Sequence, residues 1–84
     1  MEITRNSEPT DVRTLADFQE AVLAETEDVA FWVIETPHAL LHLHIGDPKR
    51  GAITVKAITA TGIERALHTD RAAAIADLIA RVVS

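Results

Sequence analysis

Between residues 39 and 45 the chain alternates, with Ala39, Leu41, Leu43 and Ile45 on one parity and Leu40, His42 and His44 on the other. A period of two is that of a strand with one face on a core. The segment therefore predicts a half-buried strand carrying its histidines on the outer face. The preceding run 29–34 is β-branched and aromatic and ends at Thr36-Pro37, where proline has no N–H to offer a ladder. It predicts a second strand. Residues 52–58 predict a third, joined to 39–45 through Asp47-Pro48-Lys49-Arg50-Gly51, in which Pro48 presets φ and Gly51 tolerates positive φ. Thr61-Gly62 marks a tight turn into a fourth short strand at 63–67.

The periodicity changes at both ends of this block. Leu15, Phe18 and Val22 recur at helical spacing behind Thr14, which with Asp17 forms a capping-box pattern, so a helix is expected over 14–27. Asp17, Glu20, Glu27 and Asp28 fall opposite its narrow apolar stripe, with Glu25 beside them. After a cap at Thr69 or Asp70, the positions Ile75, Leu78, Ile79 and Val82 make one broad apolar face, and Asp77 and Arg81 stand at i,i+4 on the polar side. Residues 1–11 read as a loosely ordered segment. The expected order is αββββα, or αβββα without the strand at 63–67. This is an α+β fold, a three- to four-stranded antiparallel meander with both helices on one face.

One domain spanning 1–84 is all that 84 residues support, and with 48% hydrophobic residues but only three aromatics the core must be aliphatic. If Leu41, Leu43, Ile53 and Val55 face the helices, then Leu40, His42, His44, Thr54, Lys56 and Ile58 line the other side of the sheet, joined by Trp32 or its neighbour Phe31. A face that apolar is expected to be covered by a partner or a second copy.

Charge adds a second surface. Of the 13 acids, nine lie in residues 1–35 against only Arg5 and Arg13, and the formal net charge is −5. Such a surface disfavours nucleic acid and favours a basic protein partner. No basic residue occurs from 14 to 28, so the acids of the first helix lack i,i+4 partners of opposite sign. The polar N-terminal stretch has no apolar h-region, and neither a signal peptide nor a membrane span is expected; the cytoplasm is the expected compartment.

Catalytic chemistry finds little to stand on. Glycines occur only at 46, 51 and 62, which builds neither a phosphate loop nor a dinucleotide fingerprint, and Ser7 and Ser84 sit outside any nucleophile elbow. With no cysteine, thiolate chemistry and disulfides are excluded. His38, His42 and His44 share parity, with His68 possible nearby, and imidazoles at i,i+2 on a strand suit zinc or copper. No carboxylate stands at a recognisable ligand spacing, so no metal or cofactor is assigned. The order αβββα resembles that of double-stranded RNA-binding domains, whose second helix opens with a lysine cluster. Here that helix opens Thr69-Asp70-Arg71-Ala72-Ala73, which implies shared topology without RNA binding. Segment 12–18 followed by strands also resembles bacterial immunity proteins of toxin systems.

The expectation is a small non-catalytic protein-binding module, an adaptor, inhibitor or immunity-like protein that binds a partner or itself. Trp32, Leu40, His42, His44 and Lys56 are its expected interface, with Asp17, Glu20, Glu27 and Asp28 as an acidic face. The alternatives are a metal-binding protein using His42 and His44, and an accessory subunit of a larger enzyme.

Overall fold

In the computed structural model, which describes residues 1–47 and 52–83, the chain forms one antiparallel sheet backed by two helices. The strands are β1 (Glu2–Arg5), β2 (Glu8–Pro9), β3 (Ala30–Glu35), β4 (Ala39–Asp47), β5 (Ala52–Thr59) and β6 (Gly62–His68), and the helices are α1 (Leu15–Leu23) and α2 (Arg71–Val83). Among the described residues the sheet has six strands in the order β2-β1-β3-β4-β5-β6. From β3 to β6 it is the meander expected from the short links, and the strand at 63–67 is present. The turn expected at 47–51 lies largely outside the described residues.

The strand count is the main correction, because residues 1–11 hold two strands. β1 pairs with β3 in the register Ile3↔Ile34 and Arg5↔Trp32, and folds back on β2 with Arg5 opposite Glu8. The two-residue link is Asn6-Ser7, with φ of 51° and 68°. Positive φ at both central residues is the requirement of a type I′ hairpin turn, and asparagine tolerates it well. The Asn6 side-chain oxygen accepts a 2.9 Å hydrogen bond from the Phe31 N–H, and the Asn6 N–H donates to the Phe31 carbonyl at 2.7 Å. The turn is thereby fastened to β3.

α1 is capped as expected: the Asp17 N–H donates to the Thr14 hydroxyl at 3.1 Å. The helix ends at Leu23, four residues before the expected 27. Its last turn is held from outside, because Arg71 at the start of α2 donates to the carbonyls of Val22 (3.4 Å) and Glu25 (2.6 Å). The cation completes carbonyls that a continuing helix would have bonded internally. α2 starts behind Asp70, whose carboxylate accepts from the Ala73 N–H at 2.9 Å.

The core lies between the helices and one sheet face. Ile3, Trp32, Ile34, Leu41, Leu43 and Val55 from the sheet meet Phe18, Val22, Ala74, Ile75 and Leu78 from the helices, all buried. Phe18 meets Trp32 edge to face at 5.8 Å between ring centres. Burying a side chain of that size contributes roughly 3 kcal/mol. β4 bends at Gly46, where the β4–β5 register shifts between His44 and Asp47 and φ is +71°. A β-carbon there would run into the Asp28 carbonyl. Glycine is required at this bulge on both counts.

Candidate interaction surface

The pleat settles which side chains reach the far face of the sheet. Because β4 puts Leu41, Leu43 and Ile45 into the core, Leu40, His42 and His44 project outward, half-buried. The register extends each across the sheet. Glu2, Glu35, Leu40, Ile58 and Ile63 form one row, and Thr4, Val33, His42, Lys56 and Arg65 the next. Phe31, His44, Thr54 and Leu67 form a third. No described element covers this face, and Ile63 and Leu67 are 56% and 55% exposed.

Of the expected interface residues, Leu40, His42, His44 and Lys56 stand on this open face. Trp32 does not. It lies on the helix side, 4% exposed, and the aromatic position on the open face goes to Phe31. Two adjacent aromatics in one strand carry no sign of which faces inward. Here the packing of Trp32 on Phe18 decides it.

Phe31 organises the two strand histidines. Its ring meets His42 edge to face at 4.9 Å and His44 at 5.5 Å, so it is wedged between them. His42 titrates below its ordinary range, first because of its burial and second because Lys56 lies directly opposite it on β5. It is therefore a neutral imidazole at neutral pH, between Phe31 and Lys56. His38 is exposed in the turn before β4. His68 is on the helix side of β6, bonded to Asp77 at 2.8 Å. The four histidines therefore do not converge, and among the described residues no group of three or more His, Asp or Glu is placed to hold a metal ion.

No protein-family model matches the chain, and neither the curated proteins nor the solved structures yield a match. Function has to be read from the geometry alone.

Lys56 and Arg65 stand opposite each other on β5 and β6. Like charges so placed are unfavourable. Among the described residues neither forms an ion pair, so both charges are open to an anionic group from outside. The acids of the same face, Glu2 and Glu35, stand opposite each other on β1 and β3. One end of the open face is thus cationic and the other anionic.

The acidic surface is also redrawn. Asp17 and Glu20 are exposed on α1, while Glu27 and Asp28, also exposed, belong to the loop after it. Glu25 is not part of it. Its side chain is 5% exposed and receives Arg5 Nε at 2.6 Å and Nη2 at 2.9 Å, a bidentate pair across twenty residues. Arg5 also lies 5.9 Å from the Trp32 ring centre. The hydrogen bonds from Arg5 lead the causes that lower the Glu25 carboxyl to about 2, against the opposing cost of burial. The indole Nε1 of Trp32 makes no hydrogen bond of ordinary geometry, yet it lies near enough to this carboxylate to favour its charged form.

A second polar chain ties α2 to β6: His68 to Asp77, Asp77 to Arg81 at 2.9 Å, and Arg81 to Glu64 at 2.9 Å. The Asp77–Arg81 step is the i,i+4 pair expected from the sequence. His68 and Thr69 line a shallow hollow with Gly46, Ala52 and Ile53. Asp70, next in the chain, is taken up as the cap of α2.

Proposed function

We propose that this protein is a non-catalytic protein-binding module, an adaptor, inhibitor or immunity-like protein of the cytoplasm. It works through the open sheet face, by binding a partner or a second copy of itself. The exposed acids Asp17, Glu20, Glu27 and Asp28 form a second contact region on the opposite side. The observation that carries this reading is the uncovered face itself, where Phe31, Val33, Leu40, Ile58, Ile63 and Leu67 offer apolar surface from four adjacent strands. Exposed apolar surface of this kind contributes to stability only when something covers it.

The test is the native mass in solution together with affinity capture from the native cell, for the wild type, Leu40→Glu and His42→Glu. Both side chains are half-buried on the outer face and outside the core, so the variants should keep the fold. Association lost in both variants supports the reading. A monomer that captures no protein, or association unchanged by either substitution, overturns it.

A further inference from the structure

We infer that the open face binds a second copy of this chain, face to face, about a two-fold axis running along β4. This rests on the reading of that face as a protein-binding surface and names its occupant.

The argument is one of charge placement under symmetry. Relative to β4, the cations Lys56 and Arg65 lie on one side, on β5 and β6, and the acids Glu35 and Glu2 lie on the other, on β3 and β1. A two-fold along β4 carries β5 of one copy over β3 of the other, and β6 over β1, while each residue row keeps its height. Lys56 of the second copy then arrives over Val33, one row from Glu35. Arg65 of the second copy arrives over Thr4, one row from Glu2. Rows on one strand face are separated by about 6.8 Å, within the combined reach of a lysine or arginine and a glutamate. Symmetry repeats both pairings, so each cation left open in the single chain finds an acid. Self-complementarity of this kind is what an isologous interface requires.

The other simple axis fails. A two-fold across the strands would lay the row of His42, Lys56 and Arg65 on itself and set like charges together. The axis along β4 instead places Leu40 on Leu40 and the neutral His42 on His42 at the centre, and it keeps the strands nearly aligned, as face-to-face sheets prefer.

Size fits a modest dimer. Five strands at about 4.8 Å and six residues at about 3.4 Å give roughly 400–500 Å² of flat face per copy, below the ~800 Å² per partner of a standard interface. The association should be in a micromolar range and weaken as salt rises, because salt screens the attraction between its charged pairs.

Charge swapping tests the inference. Lys56→Glu and Glu35→Lys are each made in the full chain and examined by sedimentation equilibrium, with circular dichroism to confirm the fold. Each variant alone should dimerise at least roughly tenfold more weakly than the wild type, since each sets like charges across the axis. An equimolar mixture should recover a dimer, because in the mixed pair position 56 of each copy again meets a charge of opposite sign at position 35 of the other. A loss that is not rescued by mixing, single variants that dimerise like the wild type, or a wild type monomeric at high micromolar concentration overturns the inference. In the last case, capture of another protein that Leu40→Glu abolishes would leave the binding-module reading standing, and no capture would remove both.

Discussion

Glu25→Gln tests a buried ion pair that the sequence pattern conceals. The carboxylate is 5% exposed and holds Arg5 through two hydrogen bonds, so the loop after α1 is fastened to β1 at this pair. Lowering a carboxyl from 4.5 to about 2 is equivalent to roughly 3 kcal/mol at full effect. Arg5 keeps 33% of its side chain in solvent, and screening brings the expectation down to about 1.5–3 kcal/mol at neutral pH. The carboxyl binds its proton less readily in the folded chain than in the unfolded one. Its stabilisation is therefore complete above 4.5 and is lost as the pH falls from there toward 2. Trp32 is the one tryptophan and is buried, so its fluorescence reports global unfolding. Urea unfolding of wild type and variant should differ by about 1.5–3 kcal/mol at neutral pH with equal slopes, and the gap should close toward pH 2. A gap under about 0.5 kcal/mol, or one independent of pH, would refute the assignment of Glu25 as a buried, charged anchor.

Three further outcomes are expected. Gly46→Ala should cost upwards of about 2 kcal/mol in the same urea assay, since the new methyl group meets the Asp28 carbonyl at a residue with φ of +71°. Thr14→Ala should cost about 1 kcal/mol through loss of the cap on the Asp17 N–H, and a change under a few tenths would show that α1 does not depend on it. Proton NMR of the wild type should find His42 titrating below the ordinary histidine range. Lys56→Gln should move it part of the way back, because burial, the larger cause, remains.

Much of the fold can be read from local pattern. The alternation at 39–45 identifies β4 and puts Leu40, His42 and His44 on one face without reference to any other segment, because a strand's pleat is a property of its own backbone. The cap at Thr14 and the Asp77–Arg81 pair are legible for the same reason, each lying within four residues of its partner. β1 is not. Its four residues hold a single buried apolar side chain, Ile3, and it becomes a strand because β3 offers it a row of unpaired backbone groups. The lone glycine in the β4 run was an available sign of a bulge, but its cause, the approach of Asp28, comes from eighteen residues away.

The open face divides along the same line. Its histidines, Leu40 and Lys56 follow from parity alone. That Phe31 and not Trp32 belongs with them follows only from the packing of Trp32 against Phe18, since two neighbouring aromatics satisfy a strand pattern equally well in either orientation. Composition concentrates acid in the first third of the chain. It does not show that Glu25 leaves that surface to hold Arg5, nor that Lys56 and Arg65 gather on one side of β4 with Glu2 and Glu35 on the other. Side-chain periodicity is carried by a few consecutive peptide units, so the sequence by itself determined α1, α2 and the strands from β3 to β6, together with the outward face of β4. Charge pairing depends on distances across strands that are remote in the chain, so only the tertiary structure decided which charges are satisfied within the molecule and which are left for another to meet.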